Sequence, residues 1–316
     1  MENVNIGIFD TAKTYAGHLG KKGSATDYVI YNYKGPESYL CAYEPSSFPD
    51  KLAPLFYCAS MTDYNVLVPR AVSKELGEMI VVLDLLGKKP YVDASEIGED
   101  VFLSLVKGTR IEKYEAAPAE GPDAKDFFAS LKPQRQGPGL FIPVDSSFMV
   151  KSVGTVALGT VMGSAIAIHE ELEILPSGKR FSARSFQVHD QDVKEAGVGS
   201  RIGIALKGVE VEDVGRGSVI APPGSIACAA SFDIEFEKSR FFATELKAGE
   251  TVAASIGMNY FTVRIKSIEA AGAKQKLSLE TVTGDKVALP PMPVFIAKPE
   301  ARMRIAGIGK VIGTKQ

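Results

Sequence analysis

A Pro/Gly-rich stretch at residues 131–145, Leu-Lys-Pro-Gln-Arg-Gln-Gly-Pro-Gly-Leu-Phe-Ile-Pro-Val-Asp, divides the chain into two kinds of material. Ahead of it, strand-like and helix-like segments alternate. Tyr28–Tyr31 and Tyr39–Ala42 read as short strands, and Asn65–Val68 and Met79–Leu83 are apolar runs in a stretch with helical character around them. Phe102–Val106 is a further candidate element. Such alternation predicts an α/β layer built on a mostly parallel sheet. Behind the stretch, glycine turns separate short β-type runs at 148–152, 154–159, 171–175, 181–188 and 202–206, the pattern of a small closed barrel. Phe141, Phe148, Phe181 and Phe186 read as its core, and the Lys132–Arg135 pair as solvated linker. A second break, Ala221-Pro-Pro-Gly224, precedes another β-rich region that reads as a second barrel. The 316 residues suffice for two or three packed cores.

Composition narrows the partners. A net charge of −2 supplies no global drive toward nucleic acid or membrane, so any such contact must be local. The three cysteines, Cys41, Cys58 and Cys228, have no metal-ligand spacing and suit a reducing compartment. The first residues lack the basic and apolar regions of a signal peptide, and no apolar run approaches the length of a membrane span. The expectation is a cytoplasmic monomer with no membrane partner.

Near the front, Val4–Phe9 reads as a buried strand, and Thr14 to Leu19 can open a helix. Between them, Gly7-Ile-Phe-Asp-Thr-Ala-Lys-Thr14 falls one residue short of the phosphate-loop pattern G-x-x-x-x-G-K-[ST], with Ala12 at the second glycine. Such a loop aims backbone N–H groups at phosphate oxygens, while its lysine spans two phosphates and its hydroxyl holds magnesium. Gly7, Asp10, Thr11, Ala12, Lys13 and Thr14 are the candidate nucleotide contacts, Thr14 with a metal role. If position 12 requires a left-handed backbone, the Ala12 Cβ costs on the order of 1–2 kcal/mol.

The middle of the chain carries a resemblance. Residues 142–161, opening Ile-Pro-Val-Asp-Ser-Ser-Phe-Met-Val-Lys-Ser-Val-Gly-Thr-Val, are similar to the start of domain two in the SelB and EF-Tu family of translation elongation factors. Ser185-Phe-Gln-Val-His-Asp190, the segment 196–209 and Glu212-Asp-Val-Gly-Arg-Gly217 follow in the family's order. The Gln-Val-His wording resembles SelB rather than EF-Tu. Asp84–Gly87 and Lys21–Gly23 resemble the archaeal SelB-like factor called EF-Pyl, and residues 302–313 resemble the closing strand of domain three. The resemblance implies a degenerate P-loop GTPase-like α/β domain at 1–132, a translation-protein β-barrel at 140–222 and a domain-three-like barrel at 225–316. It does not extend to the RNA-hairpin-binding domain of bacterial SelB.

The resemblance also implies a site with missing parts. The family's magnesium-associated D-x-x-G corresponds to Glu44-Pro-Ser-Ser47, so Glu44 is the metal-side acid and Ser47 replaces a glycine. Phe48 stands where the family places a water-orienting histidine. Gly23–Thr26 matches the switch threonine only approximately, and no guanine-reading N-K-x-D is found. GTP or GDP with Mg2+ is therefore expected to bind weakly or not at all, and hydrolysis parts are absent in three places. In the family, domain two holds the end of aminoacyl-tRNA, which implies Arg184, Gln187 and His189 as tRNA contacts, with aminoacyl-tRNA and the ribosome as partners. Taken singly, these three are ordinary exposed barrel or turn positions, and Lys13 a solvated lysine on a relic loop. An active GTPase with non-standard motifs and a scaffold without RNA remain open alternatives.

Overall fold

The computed structural model describes residues 2–134 and 139–315; Arg135 lies outside the described residues. The front of the chain builds a seven-stranded sheet. Its strands are β1 (Glu2–Asp10), β2 (Lys21–Ala25), β3 (Val29–Lys34), β4 (Ser38–Glu44), β5 (Tyr64–Val68), β6 (Tyr91–Val92) and β7 (Glu115–Ala116), in the order β2-β3-β4-β1-β5-β6-β7. The β1 strand pairs in parallel with β4 and β5, and β6 joins β5 and β7 in parallel. Only the β2–β3–β4 edge is antiparallel. Every residue of β1 after Glu2 is buried, as expected for a strand covered on both faces.

Helices α1 (Ala53–Ser60), α2 (Lys74–Leu86), α3 (Glu99–Val106) and α4 (Pro122–Ala129) alternate with the later strands. Local chemistry fixes the ends of α2. The Ser73 hydroxyl accepts from the Leu76 N–H at 3.1 Å, and Gly87 closes the helix with φ of 67°. The helix buries Leu76, Met79, Ile80, Val82 and Leu83, so the Met79–Leu83 run is helix core. Gly7 lies inside β1, and its lack of a side chain serves packing. A Cβ there would meet Phe9 Cε2 at 2.9 Å, and Asn65 Oδ1 and Thr62 Oγ1 at 3.0 Å.

Contacts divide the chain into two compact units, one of residues 1–133, 238–245 and 295–308, the other of 134–237, 246–294 and 309–316. In the first unit a core of Ile6, Ile8, Tyr15, Leu40, Val66 and Phe128 lies against the sheet. The same unit holds a buried ion pair. Arg304 donates from Nε to Glu78 Oε1 at 2.8 Å and from Nη2 to Oε2 at 2.5 Å, and Glu78 is fully buried on α2. Arg304 Nη1 also donates to the Pro49 carbonyl at 2.9 Å.

The middle β region forms an eight-stranded sheet. Its order is 179–182, 171–175, 219–221, 142–150, 154–160, 201–206, 186–188 and 191–193. Among the described residues it is an open half-barrel rather than the closed barrel expected from the sequence. Ile202, Ile204 and Leu206 alternate into its core with Phe181 and Phe186. Phe148 departs from expectation and is 43% exposed. The strand Ile142–Val150 changes register against its partner between Val144 and Ser146. Such an irregularity moves the following side chains off the core-facing alternation. A bidentate pair, Arg201 Nε and Nη2 to Asp145 at 3.0 Å each, closes this strand against Arg201–Leu206. Strands 231–238, 274–281, 259–271, 251–256, 294–297 and 305–315 close a six-stranded barrel in that order.

Candidate functional site

In open α/β sheets, ligands bind at the carboxyl ends of the strands, where the strand order reverses. Here the order reverses at β1. The parallel strands β4, β1, β5, β6 and β7 deliver Glu44, Asp10, Arg70, Glu96 and Glu120 to that edge, each at or a few residues past a strand end. The candidate nucleotide loop lies in the middle of this row.

The loop differs in shape from a phosphate cradle. Strand β1 continues through Gly7 to Asp10, and the chain then bends over residues 11–13. It enters a four-residue 3₁₀ turn, Tyr15–His18, in place of the longer helix expected from Thr14 onward. Ala12 is not left-handed. The left-handed residue is Lys13, at φ 59°, so the Ala12 Cβ carries no backbone strain and the strain falls one residue later.

The backbone donors of the loop converge on a carboxylate of the chain itself. Asp10 Oδ1 accepts from the Ala12 N–H at 2.9 Å. Asp10 Oδ2 accepts from Thr14 N–H at 3.0 Å and from Tyr15 N–H at 3.1 Å. Arg70 adds a fork, Nε to Oδ1 at 3.0 Å and Nη2 to Oδ2 at 3.1 Å. The Asp10 side chain is fully buried. Burial acts to raise its pKa, but the Arg70 hydrogen bond and the three backbone donors outweigh burial and hold the carboxyl below its ordinary range.

Arg70 extends the network sideways. Its Nη1 donates to Glu96 Oε1 at 2.5 Å, and Nη2 donates to Thr14 Oγ1 at 2.8 Å and to Glu120. Thr14 Oγ1 in turn donates to Glu120 Oε1 at 3.0 Å, and His18 Nε2 lies 3.4 Å from Glu120 Oε2. Lys13 turns to the loop after β4, donating from Nζ to the Ser46 carbonyl at 2.6 Å. Ser47 N–H donates to the Asp27 carbonyl at 2.8 Å. Phe48 is buried, with the Arg304 guanidinium 5.7 Å from its ring centre. Thr26 Oγ1 donates to Asp27 at 3.0 Å.

Glu44 is 3% exposed. Its Oε1 has no hydrogen-bond partner, and Oε2 accepts a 3.5 Å contact from the Tyr31 hydroxyl. Burial first, and then the Asp10 charge, push its pKa up to about 7. These residues do not fit magnesium nucleotide as arranged. The loop N–H groups that would face phosphate already hold Asp10, and the Thr14 hydroxyl that would meet the metal lies beside the Arg70 cation. Among the described residues no group of three or more His, Cys, Asp or Glu is placed to hold a metal ion.

The sequence expectation thus assembled Asp10, Ala12, Lys13, Thr14 and Glu44 at one sheet edge and missed Arg70, Glu96 and Glu120. Arg70 follows Pro69 just past the β5 run and has no motif around it, so only the strand order reveals its role.

In the half-barrel, Arg184, Gln187 and His189 fall within one short segment. Phe186 points into the core, while Gln187 is exposed and donates to Asp192 Oδ1 at 2.9 Å. His189 and Asp190 form a two-residue hairpin turn with φ of 49° and 62°, the signature of a type I′ turn. Arg184 is exposed just ahead of the strand.

No protein-family model matches the chain. An uncharacterized protein of Methanocaldococcus jannaschii, MJ0325, is 30% identical over 316 residues, covering 98% of this chain and all of that protein. The selenocysteine-specific elongation factor of the same organism is 31% identical over 264 residues, covering 70% of this chain. The match spans 56% of that factor's length. Among solved structures, the translation elongation factor SelB of Methanococcus maripaludis, in complex with the GTP analogue GppNHp, superposes with a TM-score of 0.85 at 20% identity. That superposition covers all of this chain and 80% of SelB, a likeness of fold. The architecture is therefore that of an elongation factor, a GTPase-type α/β domain with β-barrel domains. The chain is similar over its full length to the uncharacterized M. jannaschii protein, and its further relatives and structural neighbours are SelB-like elongation factors.

Proposed function

We propose that this protein is a cytoplasmic translation factor that binds aminoacyl-tRNA or the ribosome through its half-barrel, with a nucleotide site that is weak or vestigial. One observation carries the reading. The segment 184–189, which resembles the family's tRNA-contacting motif, lies on a hairpin with Phe186 anchored in the core and Gln187 facing outward. A rigid strand with an outward polar side chain beside a tight turn suits a platform for an unstacked terminal base, with Arg184 nearby for phosphate. The division into domains at 1–132, 140–222 and 225–316, a monomeric state and the finer likeness to EF-Pyl belong to the same proposal.

The vestigial half of the reading is supported by Ser47, Phe48 and the missing guanine-reading motif, and by the engagement of Lys13 with Ser46. Filter binding with charged and uncharged tRNA tests the first half. The wild type is expected to prefer charged tRNA. Gln187→Ala with His189→Ala is expected to weaken binding about tenfold, in line with about 1–3 kcal/mol for a stacked base. Equal binding of both tRNA forms, or none, removes the elongation role. Calorimetry with GTP, GDP and ATP at millimolar concentration tests the second half; heat specific to guanine nucleotides would favour an active GTPase instead.

A further inference from the structure

The disagreement between the loop and a magnesium nucleotide has a definite form. Three N–H groups, those of Ala12, Thr14 and Tyr15, converge on one anion, as they do in a phosphate-binding loop. The anion is the Asp10 carboxylate. A cation lies beside it, as beside a bound phosphate, and that cation is the Arg70 guanidinium. Arg70 further ties Glu96, Glu120 and Thr14, residues that follow β6, β7 and β1. Four loops at the carboxyl edge of the sheet are thereby joined by one side chain.

Resting on the reading of a vestigial nucleotide site, we propose that Asp10 and Arg70 are a built-in plug: the carboxylate occupies the place of a phosphate, the guanidinium neutralises it, and the front unit stays ordered without nucleotide. In an open site these loops would gain order from ligand contacts. Here the donors are satisfied in advance, and an incoming phosphate would have to displace a fully buried carboxylate held by the three loop N–H groups and the two-nitrogen fork of Arg70. The plug gives the chain one state in place of a nucleotide-dependent pair of states.

Amide hydrogen exchange on the full chain tests this. In the wild type, the Ala12, Thr14 and Tyr15 amides should be protected, and millimolar Mg·GTP or Mg·GDP should change that protection less than twofold. Asp10→Asn and Arg70→Gln should each lower protection at these amides by about tenfold, the scale of a lost charge-assisted hydrogen bond. If either variant fails to fold, Arg70→Lys, which keeps the charge but loses the fork, should show a smaller loss at the same amides. A tenfold rise in wild-type protection on adding Mg·GTP overturns the plug. So does wild-type-like protection in the variants. Failure of the tRNA-binding experiment leaves these outcomes untouched, since they read only the front loop.

Discussion

At the residue scale, the front of the molecule places two carboxylates in opposite situations a short distance apart. Asp10 is buried with three loop N–H groups and the Arg70 fork aimed at it, and its pKa is held low; Glu44 is buried with only a long contact from Tyr31, and its pKa is pushed up to about 7. The consequence for Glu44 follows from its sign. A carboxyl whose folded pKa lies above its unfolded value binds more protons in the native state, so stability falls as pH rises from the ordinary glutamate range toward 7. Glu44→Gln removes the titration. The variant should match the wild type near pH 5 and exceed it by about 1–2 kcal/mol at pH 8 in urea unfolding. A variant less stable than wild type at both pH values would show that the ionised form is the one the fold uses. Asp10 runs the other way. Its contribution is present above the ordinary aspartate pKa and is lost as pH falls through its lowered folded value, so the loop should open in acid. The sequence pointed to both residues through the loop pattern and the strand end. It offered no means of telling which would be charged, because that depends on what Arg70, sixty positions from Asp10, does in space.

At the element scale, β1 and the segment after it explain why a recognisable loop pattern does not build a cradle. The strand keeps its ladder to β4 as far as Gly7 and to β5 as far as Asp10, leaving few residues to turn before the 3₁₀ segment. Gly7 is consequently an interior strand glycine. Gly7→Ala should be destabilising by about 1–3 kcal/mol, as an overpacked core position, with Phe9, Thr62 and Asn65 forced to shift. A melting temperature equal to wild type would indicate that these neighbours relax freely. The glycine, lysine and threonine spacing was visible in the sequence; the extent of the strand was not, since a buried parallel strand is an apolar run whose end is set by its partners. The same limit applies to the half-barrel. Glycine-punctuated β runs announced a small sheet, and Phe186 was read correctly as core. The exposure of Phe148 came from an irregularity in one strand that no residue type signals.

At the scale of the whole molecule, the most distant contact with a large energetic stake is Arg304 with Glu78, 226 positions apart and both inside the first unit. Removing one partner strands a buried charge. Arg304→Ala should cost about 3–5 kcal/mol, and Glu78→Gln somewhat less because the amide still accepts one hydrogen bond. A double variant to apolar residues should recover much of the loss, since a buried pair is weak evidence of net stabilisation. Chemical unfolding of all three variants checks the order. No described helix is long and apolar enough to cross a membrane. By itself the sequence determined the change from α/β to β material near residue 131, the positions of the main apolar strands and the ordered motifs that are similar to those of SelB-like elongation factors. These are local signals, carried by periodicity, turn residues and short words of sequence. Only the tertiary structure decided that the loop holds its own carboxylate, that Arg70 supplies the cation and that Glu44 Oε1 is buried without a hydrogen-bond partner. Parallel strands bring residues from five separate stretches of chain to one edge, and electrostatic state depends on that assembly rather than on neighbours in sequence.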